Sequence, residues 1–311
     1  MEARDAALGA QPAIRLRAER RRYGEDVVKG VLAVCALISV ATTVGIVVAL
    51  LEPSVEFFRE VSFREFFGGR EWAATFSPPR FGVQPLVAGT LAVTAWACIV
   101  CMPFGLGAAI FLSEYARPRL RQILKPALEV LAGIPTVVYG FFALTFFTPL
   151  LRDVGIQVGT FNVLSAGLVM GVMLIPTVAS ISEDAMAAVP QDLRDGAYAL
   201  GASRLQVSTR IVVPAAISGI VASYVLAVSR AVGETMIVLI AAGGIAQLTA
   251  DPRDPMQTMT AFIAATGIGD VPTGSIAYKT IFAVGLTLFV FTLAMNIFAI
   301  RLVRRYREIY E

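Results

Sequence analysis

Six apolar runs, each long enough to cross a lipid bilayer, constrain the fold of this chain more than any other feature of its sequence. A hydrocarbon core about 30 Å thick needs about 20 helical residues, and it requires every backbone amide to be bonded within the segment. The runs cover residues 31–51, 84–112, 128–151, 163–187, 215–242 and 278–303. Only 16% of the residues are charged, whereas soluble domains contain about 25%. The sequence therefore predicts an all-α polytopic membrane protein with six transmembrane helices.

The distribution of lysine and arginine predicts that both termini lie in the cytoplasm. Cytoplasmic loops are enriched in these residues, and 18 of the 26 fall in segments that six spans place on the side of the amino terminus. Those segments are residues 1–30, 113–127, 188–214 and 301–311. We therefore expect a multi-pass protein of the plasma or inner membrane. Its divisions would be a basic cytoplasmic segment at 1–30, a transmembrane domain at 31–303 and a cytoplasmic tail at 304–311.

Histidine is absent and cysteine is rare, which limits the chemistry available to the chain. Without histidine, a His-based metal site, catalytic triad or proton relay is excluded. The three cysteines, Cys35, Cys98 and Cys101, all lie in apolar runs, whereas redox or zinc-binding cysteines need a polar, accessible setting. We interpret them as small apolar side chains that pack between helices, and we predict no metal site.

The fifth apolar run carries Ser229, Arg230, Gly233 and Glu234 near its middle. A charged side chain at that depth costs roughly 2.5–3.5 kcal/mol on insertion scales. Because Arg230 and Glu234 are four residues apart, a continuous helix would place them on one face, where they can pair. They form either a structural ion pair or part of a polar path for a solute. We favour the path, since intramembrane charges usually face a cavity or the interior of the bundle.

An Ile-Pro-Thr segment occurs twice, at residues 134–136 and 175–177. Each proline frees a carbonyl and kinks its helix, and neighbouring groups in a membrane bundle can bond the freed carbonyl. The kinks either serve packing alone or place two bent helices beside the path. In the second case Thr136 and Thr177 are path residues.

Two further patterns predict local structure. Gly167 and Gly171 form a GxxxG motif, which favours close contact between helices. In residues 52–82, phenylalanines are interleaved with charged residues, a pattern typical of an amphipathic helix lying in the membrane interface. A plain connecting loop is the alternative for this segment.

The segment between the fourth and fifth runs predicts two short helices joined at a glycine and facing the cytoplasm. Pro190 suits the start of the first helix and Gly201 its end. Ser203 can cap a second helix that runs to Pro214. The first helix carries an apolar stripe at helical spacing, formed by Leu193, Ala197 and Leu200. Such a stripe offers a docking surface for a partner; an ordinary interfacial loop is the alternative.

This segment resembles the cytoplasmic motif of ABC importer permeases, which has the form EAA, three residues, G, nine residues and IxLP. The chain has Asp195-Gly196-Ala197, then Gly201, then Ile211-Val212-Val213-Pro214 at the same spacing. It departs from the motif in Asp for Glu, Gly for the first Ala and Val for Leu. The resemblance implies a type I ABC importer permease fold in which residues 188–214 form the loop that couples to an ATPase. It makes Asp195, Gly196, Ala197, Gly201, Ile211 and Pro214 the expected coupling residues.

Three further segments, residues 81–91, 133–140 and 229–235, resemble the phosphate-specific members of that family. The order of segments and the long loop after the first span are more similar to the PstC-type subunit than to its PstA-type partner. The resemblance implies a permease for inorganic phosphate that pairs with a PstA-type permease. Two PstB-type ATPase subunits, which use ATP and Mg²⁺, and an extracytoplasmic PstS-type phosphate-binding protein complete the implied transporter. We expect no nucleic-acid partner and no cofactor bound by this chain.

The residues themselves agree with a transport subunit that is not an enzyme. A P-loop motor needs GxxxxGK[ST] to cradle the phosphates of ATP, and the sequence contains no match, so the ATPase would act in trans. Arg230 can bind two oxygens of phosphate with its planar fork. Glu234 can accept a hydrogen bond from a P–OH group, which sulfate lacks. The predicted substrate-path residues are Arg230, Glu234, Ser229, Thr136 and Thr177. The alternatives are a permease for another oxyanion (sulfate, molybdate or phosphonate), a passive channel or ion-coupled carrier, and a membrane scaffold.

Overall fold

The structure is a computed structural model that describes residues 23–305, and the side chains of residues 25–301. The described residues are mostly helical, with one antiparallel pair of two-residue strands. The helices are α1 (Tyr23–Glu60), α2 (Phe63–Gly68), α3 (Gln84–Ile110), α4 (Pro118–Gly133), α5 (Thr136–Phe142), α6 (Thr148–Asp153), α7 (Val163–Ala187), α8 (Gln191–Ala199), α9 (Arg204–Val207), α10 (Val213–Ala215), α11 (Ile217–Gly233), α12 (Met259–Gly267) and α13 (Ile276–Arg305). The strands are β1 (Trp72–Ala73) and β2 (Arg80–Phe81). Wider π-helical turns span Phe111–Tyr115, Ala143–Phe147, Ser208–Val212 and Val238–Ala242.

The chain divides into two units, Met1–Val48 and Ala49–Glu311. In the first unit, the described part of α1 is helical, and nearly all of its apolar side chains are exposed. The second unit contains the remaining elements and the buried core. Most of the expected basic segment 1–30 and of the expected tail 304–311 lies outside the described residues.

Four of the described helical stretches are long and apolar enough to cross a membrane. They are Glu25–Glu60, Gln84–Tyr115, Val163–Ala187 and Ile276–Arg301. Two bent pairs bring the number to six when each counts as one span: Pro118–Gly133 with Thr136–Asp153, at 85°, and Arg204–Ala215 with Ile217–Gly233, at 71°. The number of predicted spans is thus recovered. The run 128–151 is bent at Pro135, as its proline predicts. The expectation that residues 215–242 form one helix is wrong, because α11 ends at Gly233.

The break between α4 and α5 follows from the chemistry of proline. Pro135 has no backbone N–H, which leaves the carbonyl of Leu131 without its helical donor. The hydroxyl of Tyr139 donates to that carbonyl at 2.9 Å, and the Ile134 amide donates to it at 3.3 Å. Pro135 then caps α5 in an extended conformation. By contrast, α7 continues as one helix through Pro176, so the two Ile-Pro-Thr segments have different effects.

The core of the second unit is built around the packing of α7 on α3. Small residues allow the two backbones to approach closely. A Cβ atom added at Gly167 would lie 2.5 Å from the Cβ of Trp96, and one added at Gly171 would lie 2.6 Å from that of Val100. The close helix contact predicted from GxxxG is confirmed. Cys101 is fully buried in the same core, which agrees with the interpretation of this cysteine as a packing residue.

Adding one methyl group at Gly171 is expected to destabilise the protein. The new Cβ would also meet the backbone oxygen of Ala97 at 2.8 Å, and overpacking of this kind costs typically 1–3 kcal/mol. Gly107 provides the matched control, because a Cβ there meets nothing within 4 Å and alanine is the better helix former. We expect Gly171→Ala to melt at a lower temperature in detergent than the parent, and Gly107→Ala to melt at no lower a temperature. Equal melting temperatures for the two variants would contradict this account of the interface.

Residues 52–82 do not form an interfacial amphipathic helix, and that expectation is wrong. The last turns of α1, helix α2 and the β1–β2 hairpin enclose an aromatic cluster that also receives residues of α12 and α13. Phe57 packs edge-on against Phe66 and Phe81, with ring centroids 5.6 and 5.4 Å apart. Trp72 packs edge-on against Phe262 at 4.9 Å. The interleaved phenylalanines are therefore divided between this buried cluster and exposed positions, rather than lying on one lipid-facing stripe.

Candidate functional site

Arg230 lies in the last turn of α11, and its side chain is exposed on the surface of the described chain. Its Nη1 donates a hydrogen bond to Oγ1 of Thr177 in α7, at 3.3 Å. A cation in this position is stabilised by the partial negative charge at the carboxyl end of the helix. The structure thus brings together two of the predicted path residues. Because an intramembrane guanidinium faces water or protein rather than lipid, this surface is a candidate site.

Arg230 and Glu234 do not form the ion pair that a continuous helix would allow. Helix α11 ends at Gly233, and Glu234 is extended, with φ −65° and ψ 133°. The Oε1 atom of Glu234 accepts hydrogen bonds from the backbone amides of Met236, at 3.0 Å, and Ile237, at 3.3 Å. The carboxylate therefore caps the helical segment that follows. The spacing argument fails because it assumed a helix that the chain does not continue.

The break after Gly233 is held in place by α12. The hydroxyl of Thr260 donates to the carbonyl oxygen of Glu234 at 2.7 Å, and both residues are buried. That bond supplies a donor for a carbonyl that the broken helix leaves without one. Sequence reasoning missed Thr260 because residues 243–277 were expected to be a connecting segment. Thr258, which caps α12 by accepting from the Ala261 amide, carried a visible signal for a helix start.

The two remaining path residues lie in different surroundings. The Ser229 hydroxyl donates to Oδ1 of Asn296 in α13, at 2.7 Å. Asn296 was missed, although a lone amide in the apolar run 278–303 could have indicated it. Thr136 is half-buried at the start of α5, and none of the hydrogen bonds among the described residues joins it to Arg230. Ser229 therefore links α11 to α13, whereas Thr136 stays a prediction from sequence.

The segment from Pro190 to Pro214 has the predicted arrangement of helix, glycine and helix. Pro190 caps α8, and Gly201 has φ +81°, the left-handed conformation that favours glycine. The Ser203 side chain and Gln206 form a reciprocal capping box at the start of α9. The chain then continues through the π-helical turn Ser208–Val212 into α10. This part of the structure was correctly predicted from local sequence signals.

The expected coupling residues surround an exposed face. Leu193 and Leu200 are 40% and 90% exposed, whereas Ala197 is half-buried. Asp195 and Gly196 are exposed, Ile211 is half-buried within the π-helical turn, and Pro214 is exposed in α10. Two of the three residues in the predicted apolar stripe thus remain available to a partner.

Two buried ionic contacts attach this segment and α4 to the rest of the bundle. Arg194 in α8 pairs with Glu114 at 3.1 Å. Glu183, which is buried near the end of α7, pairs with Lys125 at 2.8 Å and also with Arg121, both in α4. Sequence reasoning missed both contacts, because they join residues far apart in the chain. Removing one partner of such a pair leaves a buried charge without compensation, which is strongly destabilising.

A cavity of about 240 Å³ lies between α4 and α7, and Thr177, Ser180, Lys125 and Glu183 contribute to its lining. Thr177 thus contacts Arg230 and also borders this cavity. The Arg230 site and the ionic contacts of α4 are therefore connected along one side of α7.

Comparisons with known proteins agree with this geometry. Residues 102–308 match the family described as "Binding-protein-dependent transport system inner membrane component". The chain is 36% identical over 280 residues to the "Probable ABC transporter permease protein YqgH" of Bacillus subtilis, covering 89% of this chain and 90% of that protein. It is 37% identical over 249 residues to "Phosphate transport system permease protein PstC 1" of Mycobacterium tuberculosis, covering 72% of this chain and 73% of that protein.

A solved structure shows the same fold at low sequence identity. It is a bacterial alginate ABC transporter in complex with an alginate pentasaccharide-bound periplasmic protein, and one of its chains superposes with a TM-score of 0.64 at 15% identity. The match covers 92% of this chain and 98% of that chain. The fold is therefore that of an importer permease, with broken spans and an exposed helical segment between two of them. On this evidence, the chain belongs to the family of binding-protein-dependent transport system inner membrane components.

Proposed function

We propose that the chain is the transmembrane permease subunit of an ATP-driven ABC importer that carries inorganic phosphate into the cell. The observation that carries the proposal is the exposed Arg230 guanidinium, which lies beside a helix break and is bonded to Thr177. The relative named PstC 1, a phosphate transport system permease, supports this choice of substrate. A membrane scaffold would have no need for a cation at such a position.

The predicted path residues Arg230 and Glu234 carry groups that suit a protonated oxyanion. The guanidinium can bind two phosphate oxygens through a planar fork. Glu234 uses Oε1 for its backbone contacts, and no hydrogen bond among the described residues engages its Oε2. That oxygen can accept from a P–OH group, and a site built around a substrate hydrogen rejects analogues that lack it. A path lined by both residues would therefore favour phosphate over sulfate.

The exposed surfaces also support the expected partners. Arg230 is exposed in the isolated chain, so a second permease of the PstA type would complete the path around it. The leucines of α8 would dock on one of two PstB-type ATPase subunits, which use ATP and Mg²⁺. A PstS-type phosphate-binding protein would deliver substrate at the opposite face. This assignment puts both termini, residues 113–127 and α8 on the cytoplasmic side.

The direct test is uptake of labelled phosphate in cells that lack this chain, with and without its restoration. Restored uptake that is abolished by depletion of ATP supports the proposal. Competition with unlabelled sulfate, molybdate and phosphonate distinguishes phosphate from the other oxyanions. Uptake that persists without ATP would instead indicate a passive channel or an ion-coupled carrier.

Labelling of single cysteines is expected to show α2 outside and α9 inside the cell. In a background with Cys35, Cys98 and Cys101 replaced by serine, Gly68→Cys should react with a membrane-impermeant maleimide in intact cells. Ser203→Cys should react only after permeabilisation. Both positions are exposed, so a difference in reactivity reports the side of the membrane. Labelling of Ser203→Cys in intact cells would overturn the orientation and the role of α8.

A further inference from the structure

Arg194 is buried in a helix whose neighbouring side chains are exposed. Only 9% of its surface is accessible, whereas Leu193, the residue before it, is 40% exposed. On a nine-residue helix at the edge of the molecule, an arginine would ordinarily extend into solvent. Its burial therefore requires a compensating set of contacts.

Those contacts come from the end of α7, the turn that follows it and the segment after α3. Nη1 of Arg194 donates to the carbonyl of Val189 at 2.6 Å, and Nη2 donates to the carbonyl of Met186 at 2.8 Å and to Oε1 of Glu114 at 3.1 Å. Met186 is in the last turn of α7, and Glu114 lies in the π-helical turn that follows α3. Glu114 also accepts a hydrogen bond from Ser113 at 2.8 Å. One guanidinium thus joins α8 to the ends of the two helices that form the core of the bundle.

Helix α7 connects this contact to the candidate site. Met186 and Thr177 are nine residues apart in one continuous helix, which corresponds to a rise of about 14 Å. Met186 accepts from Arg194 and Thr177 accepts from Arg230. Because a packed helix moves as a rigid element, a displacement at one of these contacts is transmitted to the other.

We propose that Arg194 is a positioning residue that fixes α8 to α7 and to the end of α3. When α8 moves with the ATPase, α7 then moves with it, and Thr177 and Arg230 are displaced. Without this attachment, the residues between α7 and α8 could change conformation while α7 stayed in place. This inference rests on the proposed function, in which α8 docks on the ATPase. Lysine cannot reproduce the contact, since its single ammonium lacks the planar fork that reaches three separated acceptors.

The test uses the complete transporter in proteoliposomes, with phosphate uptake and ATP hydrolysis measured together. For Arg194→Gln we expect ATP hydrolysis to continue while phosphate imported per ATP falls at least tenfold. Arg194→Lys should show the same uncoupling. Arg119→Gln is the matched control, because Arg119 is an exposed arginine in α4, and it should retain the parental ratio.

A parental ratio of phosphate to ATP in Arg194→Gln, with uptake reduced only in proportion to assembled protein, would overturn the inference. Because removing one partner of this buried pair is destabilising, the ratio is measured per assembled transporter. If Arg194→Gln does not accumulate, the double variant Arg194→Gln with Glu114→Gln, which leaves neither charge unpaired, replaces it with the same expected direction.

A distance measurement separates this inference from the proposed function. Spin labels at Val172→Cys in α7 and Ala199→Cys in α8, both exposed positions, report whether the two helices move together. In the parent we expect one narrow distance that is unchanged between nucleotide-free and vanadate-trapped states. In Arg194→Gln the distance should broaden or shift on trapping. If the distance in the parent changes on trapping, the rigid attachment of α8 to α7 is refuted, whichever solute is transported. Absent phosphate transport with an unchanged parental distance would refute only the substrate assignment.

Discussion

Replacing Arg230 with lysine is expected to lower phosphate uptake per inserted molecule by about 10- to 100-fold, although the positive charge is kept. A hydrogen bond to a charged group contributes about 1.5–3 kcal/mol, and lysine offers a point charge in place of a two-pronged donor. The shorter reach of its donors would also remove the contact with Thr177, now 3.3 Å long. The loss should therefore appear in transport and not in the amount of protein.

The measurement is initial uptake of labelled phosphate divided by membrane-inserted protein. Arg70→Lys is the matched control, because Arg70 is exposed outside the predicted spans, and we expect it to transport at the parental rate. Arg230→Lys with unchanged normalised uptake would contradict the site assignment. Reduced abundance with a normal rate per molecule would show instead that Arg230 serves the stability of the fold.

Replacing Gly201 with valine is expected to abolish ATP-driven uptake while the protein remains in the membrane. The backbone at Gly201 has φ +81°, and a left-handed conformation costs an ordinary residue about 1–2 kcal/mol and is a genuine outlier for a β-branched one. A Cβ atom there would meet nothing within 4 Å, so the effect is one of backbone conformation alone. The junction between α8 and α9 would change direction, and the exposed leucines would lose their placement.

Asparagine provides the control for this variant, because it tolerates the left-handed region much better than valine. Gly201→Asn should therefore keep most of the uptake, although it adds a larger polar side chain. The assay is ATP-dependent uptake together with copurification of the ATPase subunits. Normal uptake by Gly201→Val at normal abundance would show that this segment is not the coupling element.

The sequence predicted best what depends on local chemistry. The apolar runs set the number of possible spans, and proline, glycine and serine set the ends of α8 and α9. The GxxxG spacing predicted that the helix containing it packs closely on another helix, and the structure shows that this helix is α3. These signals come from residues close together in the chain. At such short separations, the spacing in the sequence determines the relative positions of the side chains.

The features that were missed depend on contacts between distant segments. Glu234 leaves the helix because its carboxylate caps the next segment and Thr260 bonds its carbonyl. The burial of Arg194 depends on acceptors in α7 and on Glu114, which is 80 residues away in the chain. Helical spacing alone contains none of this information. For that reason, the predicted ion pair of Arg230 and Glu234 is wrong. The hydrogen bond between Arg230 and Thr177 was found only in the structure.

The break at Gly233 also bears on how the protein is assembled in the membrane during synthesis. Helix α11 has 17 residues, about 25 Å, which is shorter than a hydrocarbon core of about 30 Å, and its last turn contains Arg230. Two of the partners that bond this end, Thr260 in α12 and Asn296 in α13, are made later than α11, whereas Thr177 in α7 is made before it. When this span first leaves the translocon, its polar end therefore lacks the hydrogen bonds to Thr260 and Asn296 that are seen in the folded chain. Its final depth in the bilayer is consequently reached late in biogenesis, when α12 and α13 have joined the bundle.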